Sequence, residues 1–168
     1  MPRRLCRSPS RPPDLNGLAR ATQVPILAGM LTKVTFRLAG YDAGLTAAAV
    51  TRRLGLQPAS AFEADTPVSR RKAPRTRGYS LWLISSSPNV EPDVGLDVHL
   101  RRLLAILEPV TAALWELAHA GYEANWYCFA ASHATEHAIE LDRPILQRLL
   151  ALPGDLWLDV CGDGADDP

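Results

Sequence analysis

Arg70, Arg71, Lys72, Arg75 and Arg77 place five cations within eight residues. Clustered Lys and Arg neutralise nucleic-acid phosphates, and affinity carried that way falls steeply with salt. Nearby stacking partners are limited to Tyr79 and Trp82, and Trp82 belongs by pattern to a strand interior. The same loop can stand in solvent or dock on acidic residues of its own chain. These five are the candidate binding residues. His133 and His137 stand four apart, with Glu136 and Glu140 close and Cys128 upstream. On a helix such a pair can bind zinc. Residues 131–138 read instead as a loop between strands and lack a His-Glu-x-x-His arrangement, so no metal ligand is assigned.

His99 opens a long helix on its polar side, where a surface or half-buried imidazole is expected. No Ser or Cys nucleophile and no orienting carboxylate stands beside it in the sequence, so general-base catalysis lacks a constellation. Asp159, Asp163, Asp166 and Asp167 do not fit a calcium-loop spacing and read as a solvated tail. Glycine patterns that cradle phosphates or dinucleotides are missing. The sequence therefore supports no catalytic residue, no metal and no cofactor. It leans away from an enzyme, with a small enzyme of unrecognised site kept as an alternative.

The elements that must position these residues follow from periodicity. Residues 33–38 alternate strictly, with Val34, Phe36 and Leu38 on one face of a half-buried strand. A short helix is expected over 46–54, with Thr46 as N-cap, Gly55 closing it and Pro58 blocking continuation. Residues 61–63 form a short strand, 65–78 a basic loop, and 79–85 a strand carrying Trp82 and Ile84 on one face. Leu96, Leu100, Leu103, Leu107, Val110, Leu114 and Leu117 trace one stripe of a helix over 96–119, kinked at Pro109 and closed by Gly121. Glu91, Asp93 and Asp97 favour the positive end of its dipole. Strands are expected over 122–130, 138–141 and 156–161. Between the last two lies a helix capped by Asp142 with Pro144 in its first turn. Leu45-Thr46, Val50, Arg52, Leu54 and Leu56 match Leu141-Asp142, Leu146, Arg148, Leu150 and Leu152 in position. That match reads either as an internal repeat or as two short amphipathic helices alike by chance. The order predicts an α+β fold, with helices on one face of a mainly antiparallel sheet. Its arrangement would be a ferredoxin-like βαββαβ unit plus an appended βαβ-type piece.

A chain of 168 residues with 47% hydrophobic and 21% charged residues fits one globular domain. Residues 1–29 hold five prolines and five arginines with little apolar periodicity, and read as a disordered extension that an upstream mis-assigned start would explain. The domain is expected over 30–161, followed by an acidic, mobile tail at 162–168. No apolar run reaches the ~18–20 residues that span a bilayer, so no membrane contact is expected. Three cysteines (Cys6, Cys128 and Cys161) make no disulfide framework and point to a reducing compartment, hence the cytoplasm; Cys128 and Cys161 read as buried core thiols. The net charge of zero conceals a division. Residues 1–89 carry 14 Lys and Arg against 4 Asp and Glu, and residues 90–168 carry the reverse. Such asymmetry marks either a partner surface or neutralisation inside the fold.

Three stretches carry a likeness. One is Leu54-Gly55-Leu56-Gln57-Pro58, with the basic loop and the strand Tyr79-Ser80-Leu81-Trp82. Another is 96–122, with Asp97, His99-Leu100, Leu107-Glu108-Pro109 and Gly121-Tyr122. The last runs from Ile139-Glu140-Leu141 through Leu152 to Leu156-Trp157-Leu158-Asp159-Val160. Through them the chain from about 32 to 160 resembles the bacterial domain of unknown function 4279 family. It departs at Cys161-Gly162, where an aromatic is expected, and near 133–137, where a glycine-rich turn is expected. The resemblance implies a bacterial cytosolic α+β domain and no particular reaction. An immunity-protein-like role beside a secreted toxin is suggested by analogy alone. The leading expectation is a non-enzymatic binding module engaging another protein. A nucleic-acid binder acting through loop 70–77 is the alternative. Oligomeric state is not legible in the residues.

Overall fold

The alternation at residues 33–38 extends further in the computed structural model, whose first strand, β1, covers Leu31–Gly40. The structure describes residues 30–68, 76–132 and 138–162. The expected extension at 1–29, most of the basic loop, the His133–His137 pair and the end of the acidic tail therefore lie outside the described residues.

After β1 comes the helix α1 (Ala47–Leu54), set by local chemistry at both ends. The Thr46 hydroxyl accepts from Ala49 N–H at 3.1 Å, as its N-cap position requires. Gly55 ends the helix at φ 68°, a left-handed conformation that glycine adopts without steric cost. The carboxylate of Glu63, distant in sequence, accepts from Ala47 and Ala48 N–H at 2.9 and 3.0 Å. These bonds hold Glu63 ionised, and its carboxyl sits below its ordinary value although burial opposes that shift.

The strands β2 (Ser60–Phe62), β3 (Ser80–Ser85) and β4 (Glu91–Pro92) follow. β4 was not expected, because a two-residue strand carries no periodicity. The long helix is divided into α2 (Leu96–Leu107), a 3-10 turn (Glu108–Val110) and α3 (Thr111–His119). The break falls at Pro109, which has no N–H to donate and clashes one turn back. The leucine stripe nevertheless runs through both pieces: Leu96, Leu100, Leu103, Leu107, Leu114 and Leu117 are all buried. β5 (Glu123–Ser132), α4 (Arg143–Leu150) and β6 (Asp155–Gly162) complete the chain. Residues 138–141 form no strand; Ile139 and Leu141 instead pack, half-buried, against the core. Asp142 caps α4 as expected, accepting from Ile145 N–H at 2.8 Å.

The fold class is α+β, with one mixed sheet in the order β2-β3-β1-β5-β6 and β4 paired to the start of β1. β1 pairs antiparallel with β3 and β5, whereas β6 runs parallel to β5. A parallel neighbour needs a crossover, and α4 supplies it. Gly154 turns the chain from α4 into β6 at φ 116°. A Cβ there would approach the backbone of Ala124 within 3.0 Å, so the turn lies directly on β5. On one face of the sheet Val34, Phe36, Leu38, Trp82, Ile84, Trp126, Cys128 and Ala130 join the helices in a single core. The alternate residues Leu81, Leu83, Tyr127 and Phe129 lie outside that core and are half-buried. Helices thus cover one face, as the sequence predicted.

Candidate functional site

The basic loop has only its base within the described residues. Pro67 and Thr76 form an isolated bridge there, and Arg77 exchanges backbone hydrogen bonds with Asp65 and Thr66 at 2.8 and 3.0 Å. The Arg77 guanidinium lies 3.9 Å from the centroid of the Phe62 ring. A cation over an aromatic face is attracted by the ring quadrupole, so this member is anchored on its own protein. Arg70, Arg71, Lys72 and Arg75 lie outside the described residues.

His99 corrects the expectation of a surface imidazole. Its side chain is fully buried, and its Nδ1 lies 2.7 Å from Ser86 Oγ. Ser86 Oγ also accepts from Val34 N–H at 3.2 Å, and the imidazole tautomer sets which of the Ser86 hydroxyl and Nδ1 donates in the bond between them. Nε2 finds no hydrogen-bond partner; Glu91 Oε2 stands 3.9 Å away and is held by Arg102 Nη1 at 2.7 Å. Burial pushes the imidazole below its ordinary value, against the pull of Glu91, so it is neutral at physiological pH. Ser, His and carboxylate do meet here, contrary to the reading of the sequence around His99. The ring is sealed from solvent, and the Glu91 carboxylate is held by Arg102. The trio ties the segment 86–91 to α2. The spacing of Leu96, His99, Leu103 and Leu107, at three and four, was the signal that His99 shares the buried stripe.

Cys128 is buried, and burial pushes its thiol up to about 12, so it is protonated at neutral pH. Cys161, expected in the core, is only half-buried. Among the described residues no group of three or more His, Cys, Asp or Glu could hold a metal ion. No helix of the described residues is long and apolar enough to cross a membrane.

The surface that stands out was not singled out from the sequence. On the face of the sheet away from the helices, Arg37 Nε donates to Asn125 Oδ1 at 2.8 Å. Its guanidinium lies 4.9 Å from the Tyr127 ring centroid and 5.9 Å from that of Trp157. The Tyr127 hydroxyl donates to Asp159. Burial, followed by this bond and charge, pushes the phenol up to about 12. β1, β5 and β6 therefore present one connected group of a cation, two aromatic rings and a carboxylate. A shallow depression of about 390 Å³ adjoins it, lined by Glu123, Ala124, Asn125, Gly154, Asp155 and Trp157. Odd-numbered positions in β1 and β5 carry the sequence signal for this face, Lys33, Thr35 and Arg37 facing Asn125, Tyr127 and Phe129 across the register.

β6 is exposed on both faces. Leu156, Leu158 and Val160 share the helix-side face with Trp126, Cys128 and Ala130, yet are 37%, 49% and 60% exposed, and Trp157 on the other face is 55% exposed. Among the described residues, Arg53–Glu116 joins the two halves of the charge division, whereas Arg101–Asp142, Arg102–Glu91 and Arg148–Glu108 lie within the C-terminal half.

No curated protein and no solved structure matches the chain. Residues 30–162 match the family described as Domain of unknown function (DUF4279), the span from the start of β1 to the end of β6, and the chain belongs to that family.

Proposed function

We propose that the chain is a non-enzymatic binding module that engages another protein through the face of its sheet that no helix of the described residues covers. The observation that supports this reading is the group of Arg37, Tyr127 and Trp157 on a rigid three-strand platform. Arg, Tyr and Trp are the residues most enriched at the energetic centres of protein interfaces. Tyr and Trp hold large contact area at little rotamer cost, and here the bonds to Asn125 and Asp159 fix Arg37 and Tyr127 further. Cytoplasmic residence accords with this role, since Cys128 is a buried free thiol. An immunity-type role beside a toxin is one form it could take, by analogy.

Aromatic rings beside a cation on an open sheet also suit single-stranded nucleic acid. Glu123 and Asp155 beside the depression, and Asp159 bonded to Tyr127, repel a polyanion, which favours the protein reading. The test has two arms. A partner captured from native extract by the full chain is purified and titrated against the wild type and Arg37→Ala and Trp157→Ala variants; affinity is expected to fall at least tenfold in each. Labelled oligonucleotides at two salt concentrations are expected to bind more weakly than ~10 μM at physiological salt. Unchanged affinity of both variants, or sub-micromolar oligonucleotide binding lost in them, overturns the proposal.

A further inference from the structure

We infer that a second copy of this chain pairs with β6 across a twofold axis, joining two sheets into one. The inference is independent of the partner proposed above, because it concerns the edge of the sheet and not its face. β6 ends the strand order, so one side of its backbone has no strand neighbour among the described residues. A long, apolar, unpaired edge is a template for another strand, and natural proteins blunt such edges with Lys, Pro or bulges. β6 has no Lys and no Pro, and its pairing with β5 advances residue for residue from Asp155 to Gly162.

The occupant is identified by self-complementarity. In an antiparallel pair, residues directly opposite point to the same face. Two identical strands related by a twofold axis must therefore place one residue opposite its own copy. Centred on Trp157, the pairing sets Asp155 against Asp159 of the second strand, twice. Centred on Asp159, it sets Asp159 against itself. Like charges directly opposite destabilise a sheet. Centred on Leu158, the pairing spans 155–161 with no carboxylates opposed. Leu156 then meets Val160 of the second copy, Leu158 meets Leu158, and Trp157 meets Asp159. All three exposed aliphatic side chains of the helix-side face are matched with aliphatic ones. The axis is perpendicular to the sheet, so both helix layers fall on one side. The two Arg37–Tyr127–Trp157 groups fall on the other, and the recognition face is doubled.

Sedimentation of the full chain across a concentration series tests the pairing, together with oxidation of cysteine variants in a Cys6→Ser, Cys161→Ser background. The expected result is a dimer in the wild type, a monomer with unchanged circular dichroism in Leu158→Lys, and a disulfide-linked dimer from Leu158→Cys alone. Trp157→Cys and Asp159→Cys should link to each other when mixed and not each to itself. A wild-type monomer at ~100 μM overturns the inference, whether β6 stays free or another segment of the same chain covers it. So does a dimer that Leu158→Lys leaves intact and that Leu158→Cys does not cross-link. If Leu158→Lys fails to fold, the pattern of cross-links decides alone.

Discussion

β1 and β6 lie in the same sheet and read much alike in the sequence, each an aliphatic alternation bounded by glycine. In β1 the even positions Val34, Phe36 and Leu38 are sealed beneath α1 and α2. In β6 the corresponding face, Leu156, Leu158 and Val160, stands in solvent. The difference lies in position. β1 has strands on both sides and helices over one face, whereas β6 is the last strand beyond β5 and belongs to no part of the core. Alternation reports which side chains gain from burial. What buries them is set by topology, and at an edge it can be another molecule.

The contrast can be broken by substitution. Leu103 is fully buried in α2, on the face that covers β1. Leu103→Ala should cost ~2–5 kcal/mol in chemical denaturation, the range for core leucine truncation. A near-neutral value would mean that the covered face is no better packed than the edge. The buried His99 beside Ser86 should make the fold respond to acid. His99 is held below its ordinary value in the folded chain, so the unfolded chain takes up the proton first. Stability is complete above about pH 6.5 and falls as pH drops below it, by at most ~1.4 kcal/mol per pH unit. His99→Asn should flatten the fall of the urea midpoint between pH 7.5 and 5.5; an equal slope in both would contradict the assignment. The carboxyls of Glu63, Glu91, Glu108 and Asp142 are also held down and act later, through their own lower range. Thr46→Ala removes the α1 N-cap bond and should cost ~1 kcal/mol, a typical cap value, with loss of the Ala49 amide's protection. At the bottom of the scale, Leu158→Ser in dilute protein should change stability by no more than ~0.5 kcal/mol, as for a surface position. A core-sized loss there would mean that β6 packs on its own chain after all.

Much of the fold was legible because local chemistry and pattern agree. Thr46, Gly55, Asp142 and the leucine stripe each stand where caps and periodicity put them. Glu63 capping α1 and β4 pairing with β1 were invisible, since each joins residues far apart in sequence. The strand expected at 138–141 failed for a related reason: aliphatic residues beside a core look alike whether or not a strand neighbour is available. His99 was misplaced by counting only leucines along the helix, although its three-residue step from Leu96 marked the buried side. The candidate surface was the least legible part. Arg37, Tyr127 and Trp157 come from three strands spread over more than a hundred residues, and only strand order and register bring them together. The basic loop drew attention because its cations are neighbours in sequence, which says nothing of what they face.

Amide hydrogen exchange of the full chain, followed residue by residue at micromolar and at near-millimolar concentration, tests the contrast most directly. Amides of β1 should exchange at the rate of global unfolding at both concentrations, since β3 and β5 enclose that strand. Outward-facing amides of β6 should exchange rapidly in dilute protein and slow as concentration rises. Slow exchange in β6 equal to that in β1 at every concentration would show the edge closed by its own chain, and would contradict the account.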